Sequence, residues 1–199
     1  MDGAPYQEPS DADLIQASIR RPSEFSRIFE RHFRAIHRYL QRATSEFAAD
    51  DLSAEVFVAA FQSRARYDQR YADAAPWLYG IAANMVRHHL RSERRRKRLI
   101  DKASGVASID ASSGSADAIV EALVDLRQME DALKELDSRF REVLLLDAGT
   151  ELNDEGIARA LSIPVGTVKS RLARGRRQLR ELLDKIGQEV GESQQERRR

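Results

Sequence analysis

An all-α fold of two small helical domains joined by a flexible linker is what this sequence predicts, and three observations carry the expectation. Apolar residues recur at three- and four-residue spacing along most of the chain. Leu, Ala, Arg and Glu are frequent while β-branched runs are short, a composition that favours helices. Residues 101–118 are rich in Ser, Ala, Gly and Asp, have little to bury, and separate two helical halves. With 199 residues, 42% hydrophobic and 33% charged, the chain can build one ordinary domain or two small ones under a heavily charged surface.

Taken in order, residues 1–10 carry no apolar period and are expected to be disordered. After Pro22-Ser23, the residues Phe25, Ile28, Phe29, Phe33, Ile36 and Leu40 form one core-facing stripe of an amphipathic helix. A second helix runs from about Ala48 to Arg64 with Leu52, Val56, Ala59 and Ala60 inward. Asp51 and Glu55 stand outward on it, one turn apart. A turn-like stretch, Tyr67 to Pro76, follows. Pro76 suits the first turn of a third helix opening near Trp77. On that helix Trp77, Leu78, Ile81, Met85 and His89 make the expected core stripe, and Gly80, Asn84, Arg87 and Arg91 the opposite one, continuing into Arg94 and Arg95. The first domain is thus residues 11–99 and the linker 100–118. The second domain, 119–186, has helices near 119–135, 138–147, 153–161 and 164–185, and the polar tail 187–199 is expected to fray.

Several classes of function fall away on composition. There are no cysteines, which excludes disulfides, thiolate metal sites and thiol catalysis. No apolar stretch approaches the roughly 20 residues that span a bilayer, and the N-terminus is acidic and polar, so neither membrane insertion nor export is expected and the location is read as cytoplasmic. His32 and His37 are five apart and His88 and His89 adjacent, neither the spacing of a helical metal site. With no phosphate-binding glycine loop and no nucleophile elbow, the sequence offers no catalytic residues, and no cofactor or metal is expected. The net charge is only +1, but Arg87, Arg91 and Arg94–Arg98 form one basic block and Lys169 to Arg180 a second, so two places are suited to phosphate.

The most specific segment is Leu152 to Leu183. Asn153 can cap a short helix whose first turn carries Asp154 and Glu155, and Ile157, Ala158 and Leu161 are its buried side. A tight turn at Ser162-Ile163 leads to Pro164 and a second helix, the layout of a helix-turn-helix. Val165, Val168, Leu172 and Leu179 face inward there. Lys169, Ser170, Ala173 and Arg174 share an outward face suited to base edges, and Arg171, Arg176 and Arg177 flank it for phosphates. The plainer alternative is a basic amphipathic helix that only keeps the domain in solution. With the signature Gly166-Thr167-Val168-Lys169-Ser170-Arg171-Leu172, the segment resembles the region 4 domain of the extracytoplasmic-function (ECF, group 4) sigma factors. Two departures stand within it: Gly156 and Asp154 replace the acidic and aromatic residues usual there, and a mid-helix glycine costs about 1 kcal/mol relative to alanine.

The resemblance extends over about residues 11–185. Asp50 to Phe57 looks like region 2.2 of that family, and Trp77 to Asn84 like region 2.4. It implies a partner, core RNA polymerase, met at its largest-subunit clamp helices through Asp51, Leu52, Glu55, Val56 and Phe57, and at its flap. It implies duplex −35 DNA at Thr167, Lys169, Ser170, Arg171, Ala173, Arg174, Arg176 and Arg177. It implies single-stranded −10 DNA at Tyr67, Tyr71, Asn84, Arg87, His88, Arg91, Arg94 and Arg95, with the two tyrosines and Asn84 as candidates for holding a flipped base. Tyrosines in a loop serve equally as core plugs. An anti-sigma protein is a further implied partner, and the presence of only two domains and a linker implies the small alternative group. Two rivals remain open at this point. A conventional helix-turn-helix regulator explains 152–183 but leaves 48–98 without a role, and a sigma mimic that binds an anti-sigma factor predicts eroded basic faces.

Overall fold

The computed structural model describes residues 8–104, 128–129 and 131–197, and those residues form helices and turns with no strand. They are α1 (Asp11–Arg20), a 3-10 turn (Pro22–Phe25), α2 (Ser26–Ala43), α3 (Glu46–Ser63), a second 3-10 turn (Arg64–Arg66), α4 (Ala75–Ser104), α5 (Ser138–Gly149), α6 (Asp154–Leu161) and α7 (Val165–Arg197). Periodicity assigns no element to residues 11–20, yet α1 forms there. Its signal is a reciprocal cap in which the Ser10 hydroxyl accepts from the Asp13 amide and the Asp13 carboxylate accepts from the Ser10 amide.

The described residues fall into two compact units. One is drawn from residues up to Arg91 together with Leu145–Val168, the other from Ser92–Leu144 together with Lys169 onwards. In the first unit Ile15, Ile28, Ile36, Tyr39, Leu40, Val56 and Leu78 are fully buried. Aromatic edges lock the helices: Phe25 on Phe61 at 5.4 Å and Tyr39 on Tyr79 at 5.5 Å, both edge-to-face.

The buried stripe of α4 differs from the expected one. Leu78, Tyr79, Ala82, Ala83 and Val86 are buried, whereas Trp77, Ile81, Met85 and His89 are only half-buried. The helix is rotated so that its small alanines meet the core, and the large side chains remain along the rim.

In the second unit the helical residues 131–135 end against two arginines. Arg141 Nη2 donates to the carbonyls of Lys134 (2.8 Å) and Leu136 (2.7 Å), and Arg94 Nη2 donates to Lys134 O at 3.0 Å. Guanidinium groups thereby satisfy carbonyls that a helix terminus leaves unpaired. Burial and the neighbouring Arg94 lower the Arg141 pKa from its ordinary value. Gly175 of α7 is buried because a Cβ would lie 3.1 Å from both Leu144 Cδ1 and Phe140 Cβ, so α5 and α7 approach closely there.

Two boundaries move from the sequence expectation. α4 continues through residues 100–104, where the linker is expected to begin, and α7 continues to Arg197, where the polar tail is expected to fray. Residues 1–7 of the N-terminal segment, the rest of the linker (105–118) and residues 119–127 lie outside the described residues.

Candidate nucleic-acid interface

The helix-turn-helix is built as its residues predict. Asn153 Oδ1 accepts from the Gly156 amide at 2.8 Å and caps α6. Gly156 is buried, and a Cβ there would sit 3.1 Å from Leu152 Cδ2 and 3.3 Å from Asn153 Oδ1. The departure at Gly156 therefore has a packing reason: Leu152 folds over the helix start. Ser162 ends α6 with φ 53°, a left-handed conformation unusual for a residue with a Cβ. Pro164 O then accepts from the Thr167 and Val168 amides at 2.8 and 3.1 Å, opening α7.

On α7, Val168, Leu172 and Gly175 are buried, while Lys169, Ser170, Ala173, Arg174, Arg176 and Arg177 are exposed and Thr167 and Arg171 half-buried. A face of two cations, a hydroxyl and a small side chain, bordered by further guanidiniums, has the chemistry of a groove-reading helix: forked donors for base edges and for phosphates.

The expected −10 residues separate into two groups. Asn84, His88, Arg91, Arg94 and Arg95 are exposed and Arg87 half-buried along one side of α4, with Arg87 Nη1 donating to Asn84 Oδ1 at 3.3 Å. Tyr67 is not among them. It is 7% exposed, its hydroxyl is held by the carbonyls of Tyr71 (2.6 Å) and Asp73 (3.1 Å), and its ring meets Trp77 edge-on at 5.0 Å. Burial, reinforced by Asp11 and Asp73, pushes its hydroxyl up to about 12. Tyr67 is a plug under the loop, with no face free for a base. Tyr71 is exposed, with the Arg159 guanidinium 4.5 Å from its ring centroid.

The missing members of this face are Trp77, Ile81 and Met85, which the sequence reading turns inward. With Ala59, Gln62, Ser63, Arg66, Gly80, Asn84 and Arg87 they line a groove of about 810 Å³, walled on its other side by Arg159–Ser162. An apolar, aromatic floor under a cationic rim suits a stacked base beside its phosphate.

The loop before α4 is fixed from below. Asp11 accepts from the Ala74 amide at 3.0 Å and from Arg31 Nη1 at 2.9 Å, and His32 Nε2 lies 2.6 Å from its other oxygen's position, Oδ2. Burial raises the carboxyl pKa, but His32, the Ala74 amide and Arg31 outweigh it and hold the group at about 2. Asp11, His32 and Asp73 place ligand-type atoms within 4.8 Å of one another, a trio the histidine spacing does not foresee; Arg31, His32 and the Ala74 amide already engage the Asp11 oxygens.

The α3 face also needs correction. Asp51 and Glu55 are exposed, but Leu52, Val56 and Phe57 are buried, Phe57 against Phe29 with centroids 4.9 Å apart. Those three pack into the core and leave at most 8% of their surface exposed. Phe47 (90% exposed) and Val58 (55%) share the outward face with Asp51 and Glu55 at helical spacing, and they are the apolar members that periodicity missed.

The Sigma-70 region 2 family profile matches residues 28–96, and the Sigma-70 region 4 profile matches residues 126–179. The RNA polymerase sigma factor CarQ of Myxococcus xanthus is 30% identical over 167 residues, 83% of this chain and 92% of that one. The ECF RNA polymerase sigma factor SigL of Mycobacterium tuberculosis is 30% identical over 182 residues, 89% and 96%. The structure of CnrH in complex with the cytosolic domain of CnrY is similar with a TM-score of 0.60 at 25% identity, over 87% of this chain and 98% of that one. Among the described residues no helix is long and apolar enough to cross a membrane. Matched by family profiles in both halves and by curated relatives over most of its length, the chain belongs to the RNA polymerase sigma factors of the extracytoplasmic-function group.

Proposed function

We propose that this chain, acting in the cytoplasm, gives core RNA polymerase its promoter specificity, and that it does so without catalysis of its own. The −35 duplex is read by Lys169, Ser170, Ala173 and Arg174, with Arg171, Arg176 and Arg177 on phosphates and Thr167 at the helix start. The opened −10 strand lies along Asn84, Arg87, His88, Arg91, Arg94 and Arg95, its extruded base held over the floor of Trp77, Ile81 and Met85 beside Tyr71. Promoter opening is driven by capture of that strand, since extruding a base costs a few kcal/mol that stacking and hydrogen bonds must offset. Docking to the clamp helices uses Phe47, Asp51, Glu55 and Val58, an acidic rim around two apolar side chains.

The observation that carries the reading is the exposed basic face of α7 over buried Val168, Leu172 and Gly175, on a chain that also exposes a second basic face on α4. A stand-alone regulator would need only the first, and a mimic that has lost DNA contact would retain neither. Because CnrH was solved with the cytosolic domain of CnrY, we infer an anti-sigma partner for this chain as well.

The test is run-off transcription from fragmented genomic DNA by bacterial core polymerase with and without the protein, followed by sequencing of the transcripts. New start sites sharing two spaced upstream motifs are expected. Binding to core without new transcripts would favour the mimic, and no binding to core would return the chain to the ordinary regulators.

A further inference from the structure

Gly80 sits in the second turn of α4, where alanine would be the more favourable helix residue. Its lack of a side chain has a steric reason. A Cβ at position 80 would stand 2.7 Å from the carbonyl oxygen of Ala160 and 3.5 Å from that residue's Cα. The obstacle is backbone, not the movable end of a side chain. Ala160 belongs to the last turn of α6, where the Ser162 and Ile163 amides donate to the Arg159 and Ala158 carbonyls at 3.2 and 3.0 Å. The first helix of the helix-turn-helix thus lies directly on the backbone of α4. Arg159, one residue earlier, projects from α6 over the Tyr71 ring at 4.5 Å.

We propose that this chain closes on itself, with α6 capping the groove between α3 and α4, and that Gly80 is the residue that permits the closure. The groove floor, Trp77, Ile81 and Met85, faces a wall made by Arg159–Ser162. A nucleic-acid strand cannot lie on that floor until α6 withdraws, because the wall stands where the strand would run. Among the described residues, α6 meets α4 in the close approach at Gly80, Arg159 adds the exposed cation–π contact with Tyr71, and Gly149 of α5 lies against the Arg42 and Tyr39 side chains of α2. The buried side chains of α6, Ile157 and Ala158, do not line the groove. The exposed cation–π contact by itself is weak. The closure withholds the groove from stray single strands, and the opening must precede or accompany strand capture. That consequence rests on the reading of the groove as the −10 site; the closure itself does not.

The chain has no cysteine, so two introduced cysteines carry spin labels cleanly. Exposed Ala65 and Glu155 serve, the first beside the groove and the second on α6. Double electron–electron resonance on the A65C/E155C protein should give one dominant short distance. Gly80→Ala, which strengthens α4 as a helix, should move the population to longer, broader distances with the circular dichroism unchanged. Arg159→Ala should shift the closed-to-open ratio about two- to fivefold, the equivalent of an exposed cation–π contact. An unchanged distribution in Gly80→Ala, or a broad long one already in the parent protein, would overturn the closure. Run-off transcription separates the consequence. With limiting protein, Gly80→Ala should raise the initial rate. Opening without any change in rate would sink the idea that closure withholds the groove, while absence of transcription by the parent protein would sink the functional reading and leave the distances to decide the closure.

Discussion

Replacing Asp11 with asparagine should destabilise the first unit in a pH-dependent way, and the dependence follows from its partners. The carboxylate is 7% exposed, takes the Ala74 amide and Arg31, and lies 2.6 Å from His32. Its folded pKa is about 2 against an ordinary 3.8. At about 1.36 kcal/mol per unit, ionised Asp11 contributes roughly 2 kcal/mol to folding. The sign is that of a depressed acid. In the pH range between the two values the unfolded chain binds the proton first, so the contribution is complete above about pH 4 and is lost as pH falls toward 2. Asp11→Asn, which leaves Arg31 facing an amide, should cost about 2–3 kcal/mol at pH 7. The gap between variant and parent should then shrink by roughly 2 kcal/mol by pH 2. Urea unfolding followed by far-ultraviolet circular dichroism at several pH values measures this directly. A gap that stays constant with pH would refute the assignment of the stability to the ionised carboxylate, and no gap at pH 7 would refute the role of Asp11 altogether.

Other expectations concern the interfaces and one turn. Arg174→Ala should weaken discrimination at one −35 base pair by about 1–3 kcal/mol, whereas Arg176→Ala should weaken binding about equally on all promoters. Competition binding of the reconstituted holoenzyme to single-base promoter variants separates them, and parallel losses for both would contradict the division. Asp51→Lys with Glu55→Lys should abolish pull-down of core polymerase while leaving the melting temperature within a few degrees, since both are exposed; Val56→Asp should instead unfold the domain because Val56 is fully buried. Ser162→Gly should stabilise the helix-turn-helix by about 0.5–1 kcal/mol, because glycine adopts its φ of 53° without a Cβ clash. A lowered melting temperature for that variant would show that the Ser162 side chain does more than end α6.

The helix-turn-helix was the part most legible in the sequence. Its cap at Asn153, its turn and the outward Lys169–Arg174 face all depend on contacts within a few residues, and the family signature lies on the same stretch. The α1 helix was equally local but short, and only the Ser10–Asp13 cap announced it. On α4 the periodicity was plain but its phase was misread. Choosing the largest apolar residues as the inward stripe puts Trp77, Ile81 and Met85 in the core, whereas the core there accepts Ala82 and Ala83. Similarly, a motif that includes Leu52, Val56 and Phe57 conceals that one face of α3 is buried and the other, with Phe47 and Val58, is available.

The sequence by itself determined the all-α class, the helix-turn-helix and the family, because helical period, caps and signature residues act over one or two turns of chain. Only the tertiary structure decided that Tyr67 is a plug, that Trp77, Ile81 and Met85 floor a groove, and that Gly80 lies under Ala160. Those outcomes depend on how surfaces far apart in sequence fit together. Close packing of that kind is set by the shapes of both partners at once, which no single segment encodes.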